Sequence, residues 1–413
     1  MGILFRVDLA HLFSLTNEYR SIKYDLGNMR AVVKALGNPE NAFGSALIAG
    51  TNGKGSVAAF LSAMMPEAGL YTSPHLIRLN ERIRVGETEI SDADLEAAHD
   101  EVQAAISAAS NLLYPPTYFE IVTAMAFVHF RRHVKFAVLE VGMGGRLDAT
   151  NVVRQEVSVI TSVGMDHEQF LGSTLQAIAA EKAGIIKGTE PVIIGPDAEF
   201  EVIRLRAGER LFTTKTIERD VRPLGEGYFE IDIRTPIRQY RGLRPRLAGR
   251  HQIENMIAAV RAAECLKLSR ESIEAGVSRA FWPGRLERVE GTPPFLLDGA
   301  HNPHAMRALA AFLEENYPEG LTIIFGTMSD KRHEEMLHML APRARRMIFT
   351  KAQTGRARDP LDLQSLAEGS LAFPSLEDAI AAARNDSKGN APILICGSLY
   401  LIGEARSLLQ RRG

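Results

Sequence analysis

One lysine stands inside a run of glycines: Ala49-Gly50-Thr51-Asn52-Gly53-Lys54-Gly55-Ser56. Apolar residues precede the run (Ala46, Leu47, Ile48), and a helix-compatible stretch follows it (Val57 to Met65). Strand, glycine-rich turn, lysine, then helix is a physical recipe for holding a triphosphate. Glycines let backbone N–H groups turn toward phosphate oxygens, the helix N-terminus adds its positive dipole end, and the lysine adds a full charge. The spacing departs from the common phosphate loop. That pattern needs a glycine five residues before Gly53, where Ile48 stands, and a Ser or Thr directly after the lysine, where Gly55 stands. An ordinary glycine turn is the plain alternative.

Other polar side chains fall at the ends of apolar runs. Leu139-Glu140-Val141-Gly142-Met143-Gly144-Gly145-Arg146 ends such a run with a carboxylate. Ligands of doubly wound sheets gather at that edge, and an acid there, near a phosphate loop, suits a magnesium ion. A carboxylate capping the next turn is the alternative. Val163-Gly164-Met165-Asp166-His167 ends the run Val157–Ser162. A histidine so placed is either a hydrogen-bonded loop residue or a contact to metal or phosphate. Ser173-Thr174 opens a helix that runs through Glu181-Lys182-Ala183-Gly184. Lys182 near its C-terminus has a plain reading, because cations favour that end. Leu297-Asp298-Gly299-Ala300-His301-Asn302-Pro303 again reads as strand then helix N-terminus, with Asp298 and His301 on the turn. Gly397-Ser398-Leu399-Tyr400 repeats the arrangement after Pro392–Cys396. Two such strand ends suit an amino acid carboxylate, or are simple N-caps.

The elements that must position these residues follow one rhythm. Strand-like runs at Ala46–Ala49, Phe136–Val141, Val157–Ser162, Val192–Gly195, Phe295–Asp298, Leu321–Gly326, Met347–Thr350 and Pro392–Cys396 are each followed by a turn and a helical stretch. That alternation predicts an α/β fold with mainly parallel sheets. Tyr228 to Arg250 differs and predicts an antiparallel hairpin at a sheet edge. A helix is predicted over Gln252 to Leu266. Phe281-Trp282-Pro283-Gly284-Arg285-Leu286 holds the chain's one Trp and a Pro-Gly break, which fits a domain boundary. The expected division is a nucleotide domain over 1–286 and a smaller, Rossmann-like domain over 287–413.

The bulk composition narrows the classes. The 413 residues suffice for two or three domains with their own cores. A net charge of −2 with no long run of one sign argues against a nucleic-acid or membrane-surface protein. The 2 cysteines, Cys265 and Cys396, supply no disulfide framework and no thiolate cluster. Met1 to Arg20 reads as a short amphipathic helix rather than a signal peptide, and no apolar run reaches the ~18 residues that span a bilayer. The expectation is a cytoplasmic protein.

With these residues in view, the chain resembles the folylpolyglutamate synthase/dihydrofolate synthase family, a branch of the Mur ligases. The resemblance rests on Gly50–Ser56, Leu70–Leu76 (LYTSPHL), Asn80–Ile83, Leu139–Asn151 (LEVGMGGRLDATN), Ile160–Gly172 (ITSVGMDHEQFLG), Glu181–Ile186 (EKAGII), Gly249–Asn255, Trp282–Glu287 (WPGRLE), Leu297–Pro303 (LDGAHNP) and Gly397–Tyr400. These stretches lie in order over nearly the whole chain. The resemblance implies a phosphate-loop nucleotide domain followed by a smaller Rossmann-like domain. It implies an ATP-dependent ligase that phosphorylates a folate carboxylate and lets the amine of L-glutamate displace the phosphate.

Residue roles follow from the resemblance alone. It implies that Asn52, Gly53, Lys54, Gly55 and Ser56 hold ATP phosphates, and that Asn255, Arg285 and Asp298 also contact ATP. Ser73, Glu140 and His167 would be magnesium ligands, Ser73 supplying the hydroxyl that Gly55 lacks. Lys182 matches a lysine that the family carbamylates, which would ligate a second Mg²⁺. His301 and Ser398 resemble glutamate-side residues. Asp25, Leu26 and Gly27, with Leu147, Asp148 and Ala149, resemble pterin-side loops. A monovalent cation is a further possible requirement, the partners are small molecules, and a monomer is expected.

One departure from the family pattern stands between Ser56 and Tyr71, where Met64-Met65-Pro66-Glu67-Ala68-Gly69 replaces a longer helix end. Pro66 stops the helix early, which puts the next strand at risk. Two other readings are weighed. A ligase of peptidoglycan precursors carries an extra N-terminal domain of roughly a hundred residues, yet here the loop begins at residue 50. A non-catalytic nucleotide-binding module is opposed by intact Lys54, Glu140, His167 and Lys182.

Overall fold

The computed structural model describes residues 25–109, 111–386 and 391–410. The amphipathic helix expected over Met1 to Arg20 lies outside these residues. The chain is α/β with parallel-rich sheets. The first sheet has eight strands: β1 (Gly44–Ala49), β2 (Gly69–Tyr71), β3 (Ile83–Val85), β4 (Thr88–Glu89), β5 (Phe136–Glu140), β6 (Val157–Ile160), β7 (Val192–Ile194) and β8 (Leu211–Thr213). Their order is β4-β3-β2-β5-β1-β6-β7-β8. β1 lies between β5 and β6, parallel to both, so it is shielded on both edges. Its apolar residues Ala46 to Ala49 are fully buried, as continuous apolar strands of parallel sheets are.

Register decides what the strand ends share. Ile48 pairs with Glu140, and Ala49 with Ile160. The loops that follow β1, β5 and β6 therefore leave from one edge at one level. Those loops carry the glycine run, Glu140 and the Asp166-His167 pair.

The residues from Tyr228 do not form a hairpin on the edge of that sheet. They belong to a separate antiparallel sheet of three strands, β9 (Glu218–Gly225), β10 (Tyr228–Arg234) and β11 (Gln239–Leu243), in the order β11-β10-β9. The reason is two-sided patterning. Phe229, Ile231 and Ile233 alternate inward and join a core with Ile253, Met256 and Ile257 of the Arg250–Cys265 helix. Between them, Glu230 and Asp232 meet Arg222 and Arg244.

A third sheet of six strands follows: β12 (Glu287–Val289), β13 (Phe295–Asp298), β14 (Leu321–Phe325), β15 (Ala344–Phe349), β16 (Leu371–Ala372) and β17 (Ile393–Cys396), ordered β12-β13-β17-β14-β15-β16. Only β12 runs antiparallel to its neighbour. Asp298 pairs with Cys396, and Cys396 with Phe325, so the turns after β13, β17 and β14 also share one edge.

The shortened segment keeps its strand. The Lys54–Ala63 helix ends two residues before Met65-Pro66, and β2 still forms, three residues long, parallel to β5 and antiparallel to β3. The early stop is used in packing. Gly276, in the Arg270–Arg279 helix, abuts the chain at Met64, where an added Cβ would lie 2.5 Å from Met64 Cα and 2.6 Å from its N. Backbone cannot yield as a side-chain tip can. Gly276→Ala gains roughly 1 kcal/mol of helix propensity and incurs an overpacking cost of about 1–3 kcal/mol. It should lower the urea midpoint of unfolding; a midpoint at or above the parent's would refute this contact.

Candidate active site

The loop after β1 is braced by the end of β6. Thr51 N–H donates to Ser162 O (2.9 Å), and Asn52 N–H donates to Ser162 Oγ (3.0 Å). The hydroxyls of Thr161 and Ser162 donate back to Asn52 O at 2.5 and 3.0 Å. Thr51 Oγ1 also bonds both ways with the Gly164 backbone, at 3.0 and 3.1 Å. Lys54 curls over this loop, its Nζ donating to the carbonyls of Gly50 (3.1 Å) and Thr51 (3.3 Å). Its charge is thus held above the loop backbone.

Glu140 closes β5, and its Oε2 accepts from Ser73 N–H at 3.2 Å. Burial pushes the Glu140 carboxyl up, against the pull of Lys54, the Ser73 amide and Arg285. Lys182 does not serve as a solvated cation at its helix end. It is 2% exposed. Burial and then the charge of Lys54 push its amine down to about 7, with Asp166 opposing. A lysine so placed is substantially neutral near neutral pH, hence nucleophilic.

Asp166 is the centre of the polar groups. Its carboxylate receives Lys331 Nζ at 2.6 Å and Asn302 Nδ2 at 2.9 Å, and His301 Nε2 lies 3.7 Å away. Burial opposes its charge, but His167, Lys331 and His301 outweigh that and hold it well below the ordinary carboxylate range. His167 has a left-handed backbone (φ 51°), stabilised by its own N–H on Asp166 Oδ1 (2.9 Å). Burial lowers both His167 and His301 to about 4, leaving neutral rings at neutral pH. His301 Nδ1 lies 2.7 Å from Gly299 O, which makes that nitrogen the donor and turns Nε2 toward Asp166.

Asn302 ties the two sheets together. It caps the Pro303–Asn316 helix by accepting from Ala305 N–H at 2.8 Å. Its amide also pairs reciprocally with that of Asn52, at 3.1 and 3.0 Å. His304 Nδ1 lies 2.9 Å from Asn52 Nδ2, and its Nε2 lies 3.1 Å from Asp197.

These groups line one cleft of about 650 Å³ between the first and third sheets. It takes in Asn52 to Ser56, Ser73, Glu140, His167, Lys182, Asn255, Arg285, Asp298, His301 and Ser398, with Asp25, Leu26, Leu147, Asp148 and Ala149. Gly27 is not among its lining residues: it begins the Gly27–Ala35 helix, and its N–H donates to Asp25 Oδ1 at 2.9 Å. The Asp148 carboxylate is turned to its own loop, accepting from Met143 N, Thr150 N and Thr150 Oγ1. Asp298 likewise accepts from Leu286 N (3.0 Å) and Ala300 N (2.9 Å). Among the described residues no three His, Cys, Asp or Glu side chains gather as a metal cluster, and no helix is long and apolar enough to cross a membrane.

Sequence reasoning passed over Asp166, His304, Lys331 and Phe119, which line the cleft, and Asn302, which is buried behind it and bonded to Asp166. Asp166 and Asn302 lay within quoted motifs. Lys331 lies in the loop between β14 and the His333–Leu340 helix, at the sheet edge where ligands gather, which is the one signal that could have flagged it.

Comparison with known proteins agrees with this architecture. Residues 48–263 match the Mur ligase middle domain, and residues 284–399 the Mur ligase glutamate ligase domain. The chain is 35% identical to the dihydrofolate synthase/folylpolyglutamate synthase of Bacillus subtilis, over 94% of this chain and 96% of that protein. Its fold matches E. coli FolC in complex with DHPP and ADP with a TM-score of 0.89, at 28% identity, covering 98% of this chain and 97% of that one. A bifunctional folylpolyglutamate synthase/dihydrofolate synthase with Mn, AMPPNP and L-glutamate bound matches with a TM-score of 0.85, at 29% identity, covering 97% of each chain. With both Mur ligase domains matched in order and a relative at this identity aligned over almost its full length, the chain belongs to the folylpolyglutamate synthase/dihydrofolate synthase family of Mur ligases.

Proposed function

We propose that this chain joins L-glutamate to a folate at the expense of ATP, and that dihydropteroate is a second acceptor. The observation that carries the reading is the cleft itself. A braced phosphate loop with Lys54, then Glu140, His167 and Lys182, face it from the first sheet, and His301 and Ser398 face it from the third. The division of labour follows: residues 1–286 hold the folate and most of the ATP contacts, and residues 287–413 present glutamate, with Asp298 alone reaching to the nucleotide side. One chain supplies both walls, which favours a monomeric enzyme, and we place it in the cytoplasm with small molecules as its partners.

A carboxylate is a poor electrophile because it is already an anion. Phosphorylation turns one of its oxygens into a good leaving group, after which the glutamate amine attacks the acyl carbon and phosphate departs. The loop amides and Lys54 orient the phosphates and offset the charge of the transfer. Asn255, Arg285 and Asp298 complete the nucleotide side. Ser73 and Glu140 offer the hard oxygen donors that Mg²⁺ takes, neutral His167 adds one nitrogen, and Ser73 replaces the hydroxyl absent at Gly55. Such an ion would neutralise charge on the transferring phosphoryl group. Asp25, Leu26, Leu147 and Ala149 form the pterin side with Phe119. Asp148 shapes that loop through its backbone bonds.

Lys182 is the proposed carbamate. Its neutral amine adds to CO₂, forming an N–C bond and releasing a proton, and leaves a carboxylate where a cation would stand.

The defining assay measures ATP turnover with each acceptor. Turnover should require both glutamate and either tetrahydrofolate or dihydropteroate. Lys54→Ala should cut ligation by ~10²-fold or more with unchanged circular dichroism. Glutamate-independent hydrolysis, or near-parental ligation by the variant, would overturn the reading.

For the carbamate, Lys182→Ala should abolish ligation, and short carboxylic acids should restore part of it. Labelled bicarbonate should give a carbamate resonance in the parent and none in the variant. A metal-loaded, active parent without that resonance would refute the modification.

His301→Ala tests the glutamate side. Its KM for glutamate should rise or its kcat fall, with nucleotide affinity nearly unchanged. Strongly weakened ATP binding with normal glutamate kinetics would reverse the assignment of the two walls.

A further inference from the structure

The chain's one tryptophan, Trp282, lies in the segment that leads to the third sheet, and its indole rests on the phosphate loop. A Cβ added to Gly55 would lie 2.6 Å from Trp282 Nε1, 3.0 Å from Cε2 and 3.3 Å from Cζ2. The indole is a rigid plane, so it yields only by turning as a whole ring, which disturbs its packing more than the shift of a flexible tip would. Arg84 lies over the same ring, 5.6 Å from its centroid, and is itself held by Glu81 O at 3.2 Å. Trp282 also walls a small cavity of about 30 Å³ behind Ser73 and Glu140, shared with His75 and Arg285.

The other side of the same segment is fastened to the third sheet. Leu286 N–H donates to Asp298 Oδ2 at 3.0 Å, and Gly299 N–H donates to Gly284 O at 2.8 Å. Gly284 N–H donates to Glu287 Oε2 at 2.8 Å. Arg285 stands between these anchors, flanked by the left-handed residues Gly284 (φ 70°) and Leu286 (φ 48°). Its placement in the cleft is therefore set by Trp282 on one side and by Asp298 on the other.

We propose that Trp282 is a positioning residue: its indole on Gly55 fixes Arg285 relative to Lys54 and ties the phosphate loop to the connection between the two sheets. It also explains the departure from the common loop pattern. A Ser or Thr after the lysine would collide with the indole, so the position must be glycine. The proposal rests on the reading of the cleft as an ATP-dependent ligase site.

The test is a double-mutant cycle with Gly55→Ala, Trp282→Ala and both together, with Trp282→Phe as the conservative variant. Gly55→Ala alone should raise KM for ATP about tenfold, equivalent to about 1.4 kcal/mol of lost affinity, because the added methyl displaces the loop or the indole from the placement that holds the phosphates. In the Trp282→Ala background the same change should cost less than about threefold, because the obstacle is gone. Trp282→Ala should raise KM for ATP, and Trp282→Phe should recover most of it. Effects that simply multiply would overturn the proposal. A second readout is independent of turnover. The emission of the single tryptophan should shift in Gly55→Ala without nucleotide, and in the parent on titration with AMPPNP. Identical spectra in all these states would refute the contact. If the parent binds no ATP by calorimetry, the functional reading fails instead, while the contact between 55 and 282 is still read from the ligand-free spectra.

Discussion

The buried carboxylate of Asp166 constrains the whole molecule. A charge withdrawn from water is tolerated only when opposite charge and hydrogen bonds replace the solvent. Asp166 takes them from Lys331 and Asn302, which both belong to the third-sheet half of the chain. Removing one partner of such a pair generally costs ~3–5 kcal/mol, so the relative placement of the two sheets is not free. Asn302 spends its whole amide at this junction. It accepts from Ala305 and Asn52, and it donates to Asn52 and Asp166. The phosphate loop, the loop after β6 and the helix after β13 therefore converge on one side chain.

That convergence is possible because parallel pairing aligns strand ends. Ile48 opposite Glu140 and Asp298 opposite Cys396 are register facts, and each puts the following loops at a common edge. Two such edges facing one another yield a cleft whose walls are fixed by sheets while its chemistry is carried by loops. The loops are stiffened before any substrate arrives. Thr51 and Asn52 are bonded to the tail of β6, and Asp148 and Asp298 each bind backbone amides. Orientation that is already present need not be supplied at the moment of reaction.

The sequence displayed the parts of this site that depend on local order. Apolar runs ending in glycine or a polar residue marked β1, β5, β6, β13 and β17, and with them Lys54, Glu140, His167, Asp298 and Ser398. Pairings between distant segments left no such mark. Lys331 and Asp166 are separated by 165 positions, and no periodicity reports their contact. The role of Asp148 was hidden for a different reason, since a carboxylate that caps a turn and one that meets a ligand look alike in sequence. The stretch from Tyr228 was visible as antiparallel β structure, whereas β9, which precedes it, was not. The independence of this stretch from the first sheet was not visible either, because that depends on which helix covers the apolar face of β10.

The same arrangement bears on how an activated acyl group survives. In the proposed reaction the intermediate is made against the first sheet and consumed by an amine held on the third, and water is the competing nucleophile. Excluding water requires the two walls to meet, whereas exchange of substrates and products requires them to part. The contacts across the cleft suit both demands. Besides Leu76, which packs on the core of the third sheet, they are polar pairs: Asp166 with Lys331 and Asn302, Asn52 with Asn302, Glu168 with Arg332, and Asp197 with His304. Arg332 is exposed and Glu168 half-exposed, so this pair can trade its partner for water at little net cost. An apolar seam of the same size would hold more tightly and release more slowly. Asp166 is the exception within this seam, since its carboxylate is held by a cation and an amide together and is shielded from water by both. In the arrangement observed, the two walls are thus joined by one demanding pair and by lighter ones around it.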